Sequence, residues 1–191
     1  AVAGGEFNVA VGNFALDALT TGDRNTAVGY QAGSGLTTAV DCAFFGRFAG
    51  VSVTTGTHNT FLGGDAGSSV TTGNRNTMVG VAGWQFDTEG DNIGIGYNTL
   101  GGAVAGGEFN VAVGNLTLDA LTSADHNVAI GYASGSDMTG GGSVSGQNTL
   151  VASNTGGRIT TGYQNVCIGH SAGNGNGDGV GVDPTTGFRN I

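Results

Sequence analysis

"NTAVGYQAGSGLTT", residues 25–38, reads at first as a loop: it is poor in charge, rich in Gly and Thr, and too short of helix formers for an ordinary helix. The phrase nevertheless returns as "NTFLGGDAGSSVTT" from residue 59 and as "NVAIGYASGSDMT" from residue 127. Take the Asn that opens each phrase as position zero. It falls at Asn8, Asn25, Asn59, Asn76, Asn92, Asn110, Asn127, Asn148, Asn165 and Asn190, and Cys42 of "CAFFG" fills the slot between Asn25 and Asn59. Successive spacings are 17, 17, 17, 17, 16, 18, 17, 21, 17 and 25, so the period is 17. A fixed period of this kind marks a repeat architecture and outranks other signals of fold.

A second layer lies above the first. "AVAGGEFNVAVGNFALDALT" (1–20) returns as "AVAGGEFNVAVGNLTLDALT" (103–122), an offset of 102 residues, or six periods of 17. A block of whole repeats duplicates without loss of register only if each repeat is one complete coil. Seventeen residues are too few for a helix pair and suit a β-solenoid. Within each coil "NTAVG" predicts a strand, small and β-branched residues bounded by turn formers. The expected fold is therefore all-β: a parallel β-solenoid of 17-residue coils, a single array over 1–191 of about eleven coils, with 1–102 and 103–191 related by the six-coil duplication. Strands stacked at ~4.8 Å make a rod on the order of 50 Å long. Aligned Asn residues form a structural column whose amides can hydrogen-bond between coils. The chain lacks an initiating Met and stops within "FRNI", and so reads as a segment cut from something longer.

Composition agrees. Forty Gly in 191 residues with one Pro would suggest disorder, yet 38% of residues are hydrophobic and recur in rhythm, which disordered chains do not show. The net charge is −9, with five Arg and no Lys. Nucleic acid and anionic membrane surfaces both need a basic stripe, and none exists. No apolar run approaches the roughly 18 residues of a membrane span.

Alternate strand residues face opposite sides. The third residue after Asn reads Val11, Val28, Phe45, Leu62, Val79, Ile95, Val113, Ile130, Val151, Ile168, and is expected to form the core. The second reads Ala10, Ala27, Phe44, Phe61, Met78, Gly94, Ala112, Ala129, Leu150, Cys167, where a solvated face would be polar. Strands apolar on both faces are buried on both. The second set is thus expected to meet a partner chain, in a symmetric parallel bundle.

With "NVAIG" and "NVAVG" variants, the "NTAVGYQAG…TTG" phrases resemble the Asn-x-Val-Ala-Ile-Gly repeats of trimeric autotransporter adhesin heads. They are still more similar to the β-roll arrays of trimeric bacteriophage tail fibres. The likeness covers nearly the whole chain, although 17 residues exceed the period usual in adhesin heads. It implies a left-handed β-roll, a parallel homotrimer, an extracellular location on a virion tail fibre or bacterial cell surface, and attachment to a glycan or protein receptor on a host surface. No cofactor, nucleic acid or direct membrane insertion is implied.

The slot after the motif Gly varies while the motif does not, and offers a receptor-facing column that includes Tyr30, Arg47, Tyr97, Tyr132 and His170. Tyr and Arg favour contact with sugars or proteins. Thr20–Thr21, Thr37–Thr38, Thr54–Thr55, Thr71–Thr72, Thr160–Thr161 and Thr185–Thr186 form a ladder, and an ice-binding solenoid is an alternative. Adjacent Thr residues point to opposite sides, however, so hydroxyls bonded to nearby backbone are the plainer expectation. Enzymatic and metal chemistry lack their residues: Lys is absent, His58 and His126 lie four coils apart, and no triad surrounds a Ser. Cys42 and Cys167, seven coils apart, are ~34 Å distant at the strand spacing, far beyond disulfide reach. "GNGNGDGVGVDP" (173–184) and the four-residue excess around "MTGGGSVSG" (138–146) are expected as surface loops.

Overall fold

The computed structural model describes residues 4–82, 88, 90–102, 107–140 and 146–174. Ten three-residue strands, one per coil, follow the Asn column: β1 (Val9–Val11), β2 (Thr26–Val28), β3 (Ala43–Phe45), β4 (Thr60–Leu62), β5 (Thr77–Val79), β6 (Ile93–Ile95), β7 (Val111–Val113), β8 (Val128–Ile130), β9 (Thr149–Val151) and β10 (Val166–Ile168). They form one parallel sheet in sequence order, a β-solenoid without helix among the described residues. Register follows the repeat: Ala27 pairs with Phe44, Phe44 with Phe61 and Phe61 with Met78. It survives the 16-, 18- and 21-residue spacings, since Met78 pairs with Gly94, Gly94 with Ala112 and Ala129 with Leu150. The eleventh coil, with Asn190 and Thr185–Thr186, lies outside the described residues, as do most of the 173–184 stretch and residues 141–145 of the excess.

Strand hydrogen bonds are only part of what joins the coils. Corners bond likewise: the Leu16 amide donates to Ala32, Gly33 to Ala49 and Gly50 to Ala66, each at 2.9–3.1 Å. Four corner columns take positive φ, among them the residue before each Asn and the motif Gly. The residue before each Asn does so at values such as 55° at Arg24 and 59° at His58. The motif Gly does so at 129° for Gly12 and 139° for Gly46, a region that residues with side chains rarely adopt, and a Cβ on Gly46 would strike the carbonyl of Gly63 in the next coil.

The Asn column is buried inside the chain itself. Asn25 shows the arrangement. Its backbone N–H donates to Asn8 Oδ1 (2.9 Å), its Nδ2 donates to the Ala39 carbonyl (2.8 Å), and its Oδ1 accepts the Cys42 amide (3.0 Å). From Asn110 onward amide also meets amide: Asn127 Nδ2 donates to Asn110 Oδ1 (2.9 Å) and Asn165 Nδ2 to Asn148 Oδ1 (3.0 Å). Buried polar groups need such partners, and an unmet one costs about 1–3 kcal/mol.

This burial fixes which strand face is inside, and the expectation about the faces inverts. Asn points inward, so the second residue after it does too; Ala27, Phe44, Phe61, Met78, Ala112, Ala129, Leu150 and Cys167 are core. The third residue points out: Phe45 is 40% exposed, Leu62 47%, Ile95 40% and Ile130 41%. Side-chain parity along a strand leaves no other choice once position zero is buried. Opposite the sheet the core is closed by a second aliphatic column, Leu19, Leu36, Val53, Val70, Leu121, Met138 and Ile159.

Volume is balanced between coils. Phe44 stacks on Phe61 with centroids 5.2 Å apart, and both are fully buried. Gly50 packs against the Phe44 ring and Gly67 against that of Phe61, where a Cβ has no room. Where the inward strand residue is Ala112, that same wall position is Leu118. The coil with Ala129 and Gly135 is filled from its neighbours by Leu118 and Leu150. Large and small residues thus interdigitate along the rod.

Candidate functional surfaces

Three surfaces follow from this geometry. The first is the outward sheet face. Its apolar row is continuous over ten coils, from Val11 (55% exposed) through Phe45, Leu62, Ile95 and Ile130 to Ile168, and Val9, Ile93 and Val166 flank it. From β2 to β10 one face of each strand is core, and the other belongs to an apolar stripe of the kind monomers seldom expose.

The second is the column after the motif Gly. Tyr30, Arg47, Tyr97, Tyr132 and His170 all lie on the exposed corner beside the sheet face. The structure gathers some of them and not others. Tyr30 packs edge-on against Phe14 (6.2 Å) and Phe48 (5.4 Å), while the Arg47 guanidinium sits 4.7 Å over the Phe48 ring and pairs with Asp65 at 2.7 Å. Tyr30 and Arg47 therefore belong to one aromatic cluster, with Phe14 and Phe48 supplied by the next residue along. Tyr97 and Tyr132 stand two coils apart, about 10 Å at the strand spacing. Between them Asn115 Oδ1 accepts the Tyr97 amide (2.9 Å). His170 lies apart from the others, two coils past Tyr132.

The third is the column before Asn, where the sequence reading overlooked a charge ladder. Arg24 pairs with Asp41 through two bonds (2.6 and 2.9 Å), His58 Nε2 lies 3.6 Å from Asp41, and Arg75 pairs with Asp91 (2.6 Å). Opposite charges one period apart were the available signal. Hydrogen bonding from Arg24 holds the Asp41 carboxyl below its ordinary range, and Arg75 does the same for Asp91. Further along, Phe109 stacks on His126 (4.8 Å) and Gln164 donates to Gln147 (2.9 Å).

Other candidate groups are engaged within the fold. Thr20, Thr37 and Thr54 donate their hydroxyls to the carbonyls of Thr37, Thr54 and Thr71, and Thr122 donates to Thr139. Cys42 and Cys167 are free and buried. Burial pushes the Cys42 thiol up to about 11, and its Sγ donates to the Gly56 carbonyl (3.3 Å), so it faces the interior of its own chain. Among the described residues no group of three or more His, Cys, Asp or Glu could hold a metal ion, and no helix is long and apolar enough to cross a membrane.

Comparison of the chain with protein-family models, with curated proteins and with solved structures found no match.

Proposed function

We propose that this chain is a length of fibrous attachment protein, of the bacteriophage tail-fibre kind: a left-handed β-roll whose three parallel copies bury their sheet faces around a common axis. The observation that supports it is the unbroken apolar row from Val11 to Ile168 on a face that one chain leaves uncovered. Burying such surface contributes roughly 25 cal/mol per Å². Repeats in common register let identical chains match rung to rung, as symmetric assembly requires. On this reading the rod supplies rigidity and reach outside the cell, and the column of Tyr30, Arg47, Tyr97, Tyr132 and His170 at the rim of the sheet face meets the host glycan or protein. A bacterial adhesin head would use the same assembly. The ice-binding alternative has less support, because the first hydroxyl of several Thr pairs is engaged by the next coil.

The test is mass in solution. Light scattering on the purified chain should give three times its 18.7 kDa, and Leu62→Asp with Ile130→Asp on the sheet face should give monomers with the same β-sheet spectrum. A wild-type chain that stays monomeric at tens of micromolar would defeat the assembly. Adsorption of the labelled trimer to candidate host cells, with loss on Tyr97→Ala and Tyr132→Ala, tests the attachment role.

A further inference from the structure

We infer that the open polar cleft of about 380 Å³ across the coils of β8, β9 and β10 is a binding site for one neutral sugar residue of a glycan. This deepens the attachment reading and rests on it for biological purpose, but it concerns a different surface from the Tyr column.

Three departures from the repeat converge here. First, the cleft is lined by Ser136 and Asp137 from one coil, Asn154 and Arg158 from the next, and Ser171 and Asn174 from the third. In the regular coils the slots of Asp137 and Arg158 hold small residues: Ala18, Gly35, Ser52 and Ser69. Second, the coil of β8 is the one lengthened to a 21-residue spacing. Third, Ala152 occupies the motif-Gly slot at φ 129°, whereas every other described non-Gly residue of positive φ lies between 43° and 61°. Ala152 forms the corner that leads into Asn154. Strain retained against an otherwise invariant Gly is a signature of functional sites.

The chemistry selects the ligand class. Ser136, Asp137 and Ser171 make no side-chain hydrogen bond among the described residues, and Asn154 uses only its Nδ2, on Ser153 (3.3 Å). Free acceptors and hydroxyls thus border one space. Asn174 braces it: its Oδ1 accepts the Gly157 amide (2.6 Å) and its Nδ2 donates to the Asn154 carbonyl (2.7 Å). No apolar side chain lines the space, which disfavours a hydrophobic ligand. Asp137 and Arg158 place one charge of each sign on the lining, which selects for neither an anion nor a cation. A neutral polyol that both donates and accepts fits the lining, and the volume suits a ligand of small-molecule size.

The test uses the assembled full chain and saturation-transfer NMR with the methyl glycosides of glucose, galactose, mannose and N-acetylglucosamine. At least one should show saturation transfer with millimolar affinity. Asp137→Ala and the isosteric Asp137→Asn should each weaken that binding tenfold or more, while Tyr97→Ala leaves it unchanged. Absence of transfer to all four glycosides, or unaltered binding by a folded Asp137→Asn chain, overturns the inference. Sugar binding by a chain that adsorbs to no cell would remove the attachment reading and leave the site standing. Adsorption without sugar binding would do the reverse.

Discussion

The coils of β2 to β5 and those of β8 to β10 share one register and one set of slots, yet use them differently. In the first group the spacing holds at 17 as far as Asn76, the motif Gly is never replaced, and aromatic rings stack in the core. Charges there pair between coils, Arg24 with Asp41 and Arg75 with Asp91. In the second group one coil is lengthened and Ala152 replaces Gly, and in the coil of β7 just before it Asp119 has a buried oxygen with no hydrogen-bond partner. Register survives all this because it resides in backbone bonds and in the Asn column, which runs through both groups. Side chains at the corners are then free to vary, and the irregular coils bring together residues that the regular ones do not.

Substitutions at equivalent slots can break or sharpen that contrast. The largest effect is expected from Gly46→Ala, which sets a Cβ against the Gly63 carbonyl at φ 139°. It should cost about 3 kcal/mol in denaturant unfolding, and tolerance would show that the regular coils are not built on this corner. Asn59→Ala removes the bond from Nδ2 to Gly73 (2.7 Å) and the acceptor of the Asn76 amide (2.9 Å). A loss of about 2 kcal/mol is expected, with amide exchange accelerating first in the adjoining coils.

Two changes should stabilise. Ala152→Gly relieves the strained corner in the irregular group and should gain about 1 kcal/mol, whereas the same slot loses stability in the reverse exchange at Gly46. Cys42→Asn restores a carboxamide to the column: Cys42 offers the Asn59 amide no oxygen of the kind that Asn8 offers Asn25. The gain should be about 1 kcal/mol by thermal unfolding.

The smallest effect is on pH dependence, and its sign differs between Asp91 and Asp119. Asp91 is held below its ordinary range by Arg75, so its contribution is present above the unfolded carboxylate value, near pH 4, and fades as pH falls through the folded value. Asp119 is pushed up, chiefly by burial, so its contribution is full below that value and fades as pH rises through the folded one. Asp91→Asn should therefore lower the melting temperature at pH 6 and do so less as the pH falls, and Asp119→Asn should raise it at pH 6 and do so less as the pH falls. Both shifts should be small, and that of Asp91 should shrink further in high salt.

Part of the candidate site was legible in the sequence and part was not. The variable column could be read because Tyr30, Arg47, Tyr97, Tyr132 and His170 follow a constant Gly, and a constant corner makes its successor easy to index. The cleft could not. Ser136, Arg158 and Asn174 lie in three coils and meet only because stacking brings residues about one period apart within a few ångströms. The ion pairs Arg24–Asp41 and Arg47–Asp65 escaped notice for the same reason, being remote along the chain and adjacent along the rod.

The spacing of Asn residues by itself determined the coil, the parallel stacking and the register, since only one alignment superposes ten copies of the same phrase. Which strand face is inside was decided by the tertiary structure. Val28 and Ala27, or Phe45 and Phe44, are equally apolar, so hydropathy leaves the two faces degenerate. The degeneracy is lifted by the Asn carboxamide, which turns inward to bond the backbone of the coils on either side, and every second residue must follow it.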